Sequence, residues 1–187
     1  MTLGINDIKK GSLIVVAGEP YRVMLVKHSH IGRGSATIQA KIKSLVSGKI
    51  LDRSFKPSDE LEEAEIEKID AEFVYSRNRE FWFHETGNPA NRFLIEEEAI
   101  GEQGQFLKPK MEVRAVRFKG NIINIEIPIK AEYRVMEAPP NVRGNTAQGG
   151  TKQVTLETGA KISAPMFVET GSVIRVNTET GEYVERV

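Results

Sequence analysis

The eight residues from His28 to Ser35, His-Ser-His-Ile-Gly-Arg-Gly-Ser, hold the side chains of this 187-residue chain with most to offer chemically. Gly32 and Gly34 take positive φ without steric cost, so the backbone can turn sharply on both sides of Arg33 and leave it at a loop tip. A guanidinium stays charged at physiological pH and presents five donors in a planar fork, which suits phosphate or the face of a nucleobase. The plainer reading is a hairpin with a solvated arginine. His28 and His30 stand at period-two spacing, but the third histidine, His84, lies far along the chain and nothing completes a ligand set. The absence of cysteine removes thiolate chemistry, disulfides and Cys-ligated zinc together. No Gly-x-Ser-x-Gly elbow occurs, and Gly32-Arg33-Gly34 lacks the further glycines and the lysine of a phosphate loop. No catalytic residue and no metal site is therefore assigned, and a small hydrolase built on these histidines is the weakest reading.

Two other stretches bear on function. Ala138 to Thr151 is the longest irregular run, and Arg143, Asn145, Thr146, Gln148 and Lys152, spaced by glycines, supply donors and closely approachable backbone amides. Glu80-Phe81-Trp82-Phe83-His84 could stack bases, although its acidic surroundings favour core packing.

The elements that must position these residues are strands. Leu13 to Ala17 and Tyr21 to Lys27 flank a turn at Gly18-Glu19-Pro20, and beyond the Arg33 loop Ile38, Ala40 and Ile42 alternate with Gln39, Lys41 and Lys43. One face of that strand enters a core while the other offers amides and ammonium groups. Lys49 to Lys56 follows, and Pro57-Ser58-Asp59 stops it. Glu60 to Glu67 reads as a solvated linker, before Ile69, Ala71, Phe73 and Tyr75 alternate inward. Turns at Ser76 to Arg79 and Thr86 to Pro89 bracket the aromatic run, and Arg92 to Ile100 reads as a strand end or a short helix. Met111 to Phe118 and the alternating Ile123, Ile125, Ile127 and Ile129 form a hairpin around Lys119-Gly120-Asn121, with Pro128 outward. Tyr133 and Val135 open a last group, with strands at Gln153 to Leu156, Lys161 to Val168, Ser172 to Val176 and Glu182 to Val187. Short strands at this spacing indicate small barrels with thin cores.

The formal charge is zero, but it is unevenly spread. Residues 1–57 carry ten Lys and Arg against three Asp and Glu, residues 58–102 four against fourteen, and residues 103–187 twelve against nine. A basic leading end facing nucleic acid and an acidic middle follow from that map. No apolar leader and no run of about 18 apolar residues is present, so the chain is expected to be cytoplasmic and to have no membrane partner.

With these residues in view, the chain resembles bacterial translation elongation factor P nearly end to end. The resemblance rests on the basic loop tip, the Glu80-Phe81-Trp82 run, Gly144-Asn145-Thr146-Ala147, Thr155 to Ala160, Pro165 to Val168, and Thr180-Gly181-Glu182-Tyr183-Val184. It implies an all-β fold of three small barrels in an L shape: an SH3-like (KOW-type) domain over 1–64, an acidic OB-fold over 65–128 and a second OB-fold over 129–187. It also implies a monomeric, non-enzymatic factor without cofactor. Such a factor binds the 70S ribosome between the peptidyl-tRNA and exit sites, contacts peptidyl-tRNA, and relieves stalls at consecutive prolines. Lys27, Lys41, Lys43 and Arg53 would then meet tRNA or rRNA phosphates, as would Tyr183 and Arg186, which match C-terminal contact positions. Arg143 and Gly144 to Ala147 would face the exit-site codon of the mRNA, with Asn145 where the family has aspartate. The family's loop commonly reads Pro-Gly-Lys-Gly with a modified lysine; here Ile31-Gly32-Arg33-Gly34 stands instead. One arginine-bearing branch is rhamnosylated by an arginine rhamnosyltransferase but usually places asparagine where Gly34 stands. Arginine followed by glycine also resembles the elongation-factor-P-like paralogues, so rhamnosylated and unmodified Arg33 are both open. A general single-stranded RNA-binding OB protein is the alternative function.

Overall fold

The computed structural model describes residues 2–29, 37–140 and 150–187. Arg33 with Gly32 and Gly34, and the run Arg143, Gly144, Asn145, Thr146 and Ala147, lie outside the described residues.

Alternation of apolar and polar side chains sets the first sheet. Its strands are β1 (Thr2–Leu3), β2 (Leu13–Val16), β3 (Glu19–Ser29), β4 (Thr37–Ser44), β5 (Ile50–Phe55) and β6 (Leu61–Glu63), hydrogen-bonded in the order β1-β6-β2-β3-β4-β5. Along β4, Ile38, Ala40, Ile42 and Ser44 are buried while Gln39, Lys41 and Lys43 are exposed. Ile38, Ala40 and Ile42 join Ile5, Ile8, Ile14, Tyr21, Val23, Phe55 and Leu61 in one core. The β2–β3 turn falls at Ala17-Gly18, one residue earlier than the sequence suggests, and both residues have positive φ (51° and 86°). That is the two-residue turn whose twist matches antiparallel strands, and it leaves Glu19 and Pro20 free to begin β3.

The glutamate-rich stretch after Pro57 is not a solvated linker. Leu61 pairs with Leu3, Glu62 with both Thr2 and Val15, and Leu61 and Ala64 are buried. Leu61 is buried within the strand, Ala64 just past its end donates its N–H to Leu13 O at 3.0 Å, and Glu62 and Glu63 are exposed.

A second sheet has the order β11-β10-β7-β8-β9 from β7 (Ile66–Arg77), β8 (Glu80–Glu85), β9 (Asn88–Glu96), β10 (Glu112–Phe118) and β11 (Asn121–Glu126). Both readings of Arg92 to Ile100 are realised, since β9 runs to Glu96 and a single turn, α1 (Glu97–Ile100), continues into a 3-10 stretch to Phe106. The isoleucine alternation fails at its end: Ile125 in β11 and Ile127 just past it are buried, but Ile129 is 55% exposed. Pro128 is exposed as expected, and its carbonyl accepts a 2.7 Å bond from Thr178 Oγ1.

The third sheet, β14-β13-β12-β15-β16, comprises β12 (Lys130–Glu137), β13 (Thr151–Leu156), β14 (Lys161–Pro165), β15 (Val173–Asn177) and β16 (Tyr183–Arg186). Tyr133, Val135, Val154, Leu156, Ile162, Ala164, Val168, Ile174 and Val176 fill its core. β14 ends at Pro165 instead of Val168; Val168 is still fully buried, reached through a turn, whereas Phe167 between them is exposed.

By contact the chain divides into two compact units, one made of residues 1–70, 93–101 and 114–125, the other of 71–92, 102–113 and 126–187. In the first, Asn124 Nδ2 donates to the carbonyls of Leu45 and Ala99 at 3.1 Å and lies 3.3 Å from that of Val46, while its Oδ1 accepts from Ile125 N at 2.8 Å. In the second, the buried Tyr133 hydroxyl donates to Phe106 O at 2.9 Å, and burial pushes its pKa well up. Lys108 Nζ sits 5.3 Å from the Tyr133 ring centroid, donates to Glu132 O, and pairs with Glu157 at 2.9 Å.

Candidate nucleic-acid interface

Residues directly opposite on antiparallel strands share a face, so register decides which cations act together. Lys27 lies opposite Gln39, Leu25 opposite Lys41, and Arg22 opposite Lys43. Lys41 is in turn opposite Asp52, Gln39 opposite Ser54, and Lys43 opposite Ile50. Arg22, Lys27, Lys41 and Lys43 therefore occupy the outer face of the first sheet, with Asp52 as the counter-charge among these facing positions. Lys27, Lys41 and Lys43 are exposed, and none forms a salt bridge with a described residue. A depression on this sheet is bordered by Leu25, Lys27, Gln39, Lys41, Asp52 and Ser54, and Ala40 and Arg53 also line it. Such a face offers ammonium groups and amides to an anionic polymer without reading its sequence.

A bulge assembles this face. The β3–β4 register shifts between Val23 and Leu25, leaving Met24 as the extra residue. Arg22 and Lys27 are an odd number of residues apart, and a regular strand would send them to opposite sides. The bulge brings both outward. The sequence carries no local signal that places Arg22 on this face, because nothing marks Val23-Met24-Leu25 as irregular.

Arg53 is placed differently from the three lysines. It lies opposite the buried Ala40, so its Cβ belongs to the inward side of β5, the outermost strand of the sheet, where the residue is exposed past the strand's edge. Its charge reaches Tyr21, where it partly offsets the rise in the phenol's pKa caused by burial and by Glu19, whose Oε2 is 3.2 Å from the hydroxyl.

In the second unit, Tyr183 is half-buried opposite Val176 with its ring edge-on to Phe167, centroids 6.4 Å apart. Arg186 lies opposite Ile174 and is exposed. Among the described residues no group of His, Asp and Glu is arranged to hold a metal ion, and no helix is long and apolar enough to cross a membrane.

The described residues form three antiparallel sheets, an all-β fold, and the first sheet carries this cationic face. The family model for the elongation factor P KOW-like domain matches residues 4–61, and that for the elongation factor P C-terminal domain matches residues 131–186. Elongation factor P of Aquifex aeolicus is 39% identical over 99% of this chain and 96% of its own. That of Moorella thermoacetica is 34% identical over 98% of this chain and 99% of its own. The chain belongs to the elongation factor P family and is a translation elongation factor. A solved structure titled eukaryotic translation initiation factor 5A, from Methanococcus jannaschii, shares the fold at a TM-score of 0.53 and 15% identity, over 67% of this chain and 93% of that one.

Proposed function

We propose that this protein is a non-enzymatic, cytoplasmic monomer that binds the ribosome between the peptidyl-tRNA and exit sites. There it contacts peptidyl-tRNA and stimulates peptide-bond formation, relieving stalls at consecutive prolines. The observation that carries this reading is the outward set Arg22, Lys27, Lys41 and Lys43 on β3 and β4, the strands on either side of residues 30–36. Lysines there hold tRNA phosphates without regard to sequence, with Arg53 adding charge at the sheet's edge. Arg33, in the intervening segment, then approaches the acceptor end and favours a productive peptidyl-tRNA orientation.

Ordering the two reactants lowers the barrier without any protein acid or base, an effect worth roughly 7 to 11 kcal/mol at its limit. Arg143 and Gly144 to Ala147 contact the exit-site mRNA, where Asn145 can donate as well as accept and does not repel phosphate. Tyr183 and Arg186 add RNA contacts from the last strand.

Reconstituted translation of a template encoding consecutive prolines tests the tip. Arg33→Ala is expected to lose most of the stall relief while the protein stays folded; relief equal to wild type would remove Arg33 from the mechanism. Intact-mass and peptide mass spectrometry of protein from its native cell separates rhamnosylated from unmodified Arg33.

A further inference from the structure

The hairpin of β7 and β8 sorts its aromatic residues onto two faces. Phe73 and Phe83 are buried with ring centroids 5.4 Å apart, and Phe81 packs 6.1 Å from Phe73. Strict alternation from Phe73 would bury Tyr75 too. Instead the register shifts between Phe73, opposite Phe83, and Tyr75, opposite Trp82. Val74 is the extra residue, and Tyr75 emerges 42% exposed with its ring near-parallel to Trp82, 18° between planes and centroids 6.2 Å apart. The indole N–H donates to Glu80 Oε2 at 3.3 Å, which fixes its orientation.

Arg77 lies opposite Glu80, so by alternation Tyr75, Arg77, Glu80 and Trp82 share one face at the hairpin's distal end. Asn78 and Arg79, both at positive φ, close the turn. Neighbouring β10 leaves this end open: Phe73 bonds Lys110 and Met111 just ahead of β10, and the Arg117–Glu67 ion pair shows that β10 runs away from the tip. Between Tyr75 and Trp82 the chain carries Arg77 and Arg79 against Glu80, a basic tip within an acidic stretch.

We propose that this tip is a stacking site for single-stranded nucleic acid, separate from the basic face of the first sheet. A base stacks on the exposed Tyr75 ring and the open part of the half-buried Trp82 beside it, and Arg77 takes the adjoining phosphate. Aromatic faces accept any base, so the site is tolerant of sequence and sensitive to salt. A cationic peptide could also cover the rings, but it would meet Arg77, and the carboxylate at Glu80 already holds the indole; the charge at the tip favours a polyanion.

Trp82 is the sole tryptophan of the chain, so its fluorescence reports on this site alone. Titration of the full-length protein with octauridylate at low salt is expected to quench it saturably. Tyr75→Ala should weaken the apparent affinity about tenfold or more, and Arg77→Glu several-fold with a shallower salt dependence. Because Arg77 is exposed, its substitution remains informative if Tyr75→Ala fails to fold. No saturable quenching, quenching unchanged in the Arg77→Glu protein, or tighter quenching by octa-arginine than by octauridylate would each overturn the proposal.

Discussion

Glu157 shows how one side chain can be held charged by neighbours from separate strands and turns. Partial burial works against its ionisation, yet the Lys108 ammonium at 2.9 Å and the Arg134 backbone N–H at 3.1 Å outweigh it and keep the pKa below the usual carboxylate range. A carboxyl whose folded pKa is depressed adds stability that is fully present above its unfolded pKa, about 4.3, and lost as pH falls through the folded value. Thermal melts should therefore show a stability loss below about pH 4.3 that is smaller in Glu157→Gln than in wild type. Acid profiles that superimpose would mean the group is solvated in the native state. The pairing of Lys108 with Glu157, 49 residues apart, has no local signal in the sequence.

At the level of elements, alternation made most strands legible. The Lys41 and Lys43 face could be read because Ile38, Ala40 and Ile42 alternate without a break. The bulges at Met24 and Val74 could not be read. Each adds one unpaired residue whose side chain looks ordinary, and only the partner strand's register reveals it. β6 was hidden for another reason: three glutamates surround Leu61, and charge obscured a strand whose partners, β1 and β2, come from the start of the chain. Asn124 ties elements together in the same non-local way, one amide meeting carbonyls in the β4–β5 turn and in α1. Asn124→Asp replaces that donor with a carboxylate facing three acceptors. Chemical denaturation should show a loss of about 1 to 3 kcal/mol, and Asn124→Ala a smaller one. Equal stability of all three proteins would show the clamp to be idle.

For the molecule as a whole, the zero net charge conceals an uneven spread, basic over residues 1–57 and acidic over residues 58–102. In the basic leading end Lys27, Lys41 and Lys43 share one face with Arg22, and this predicts strongly salt-dependent association with tRNA. The double variant Lys41→Glu/Lys43→Glu should weaken tRNA binding in a filter assay and reduce the slope of log K against log salt by about one to two. An unchanged slope would place the phosphate contacts elsewhere.

The sequence by itself determined the all-β class, the family, most strand positions and the basic character of the leading end, because period-two burial and turn residues are local properties of the chain. Tertiary structure decided which cations share a face, which side of β5 carries Arg53, which aromatic residues reach solvent, and that the glutamate-rich stretch is a strand. Those outcomes depend on register against a partner strand, which no local pattern in the chain carries. A one-residue shift there exchanges inside for outside without altering a single side chain.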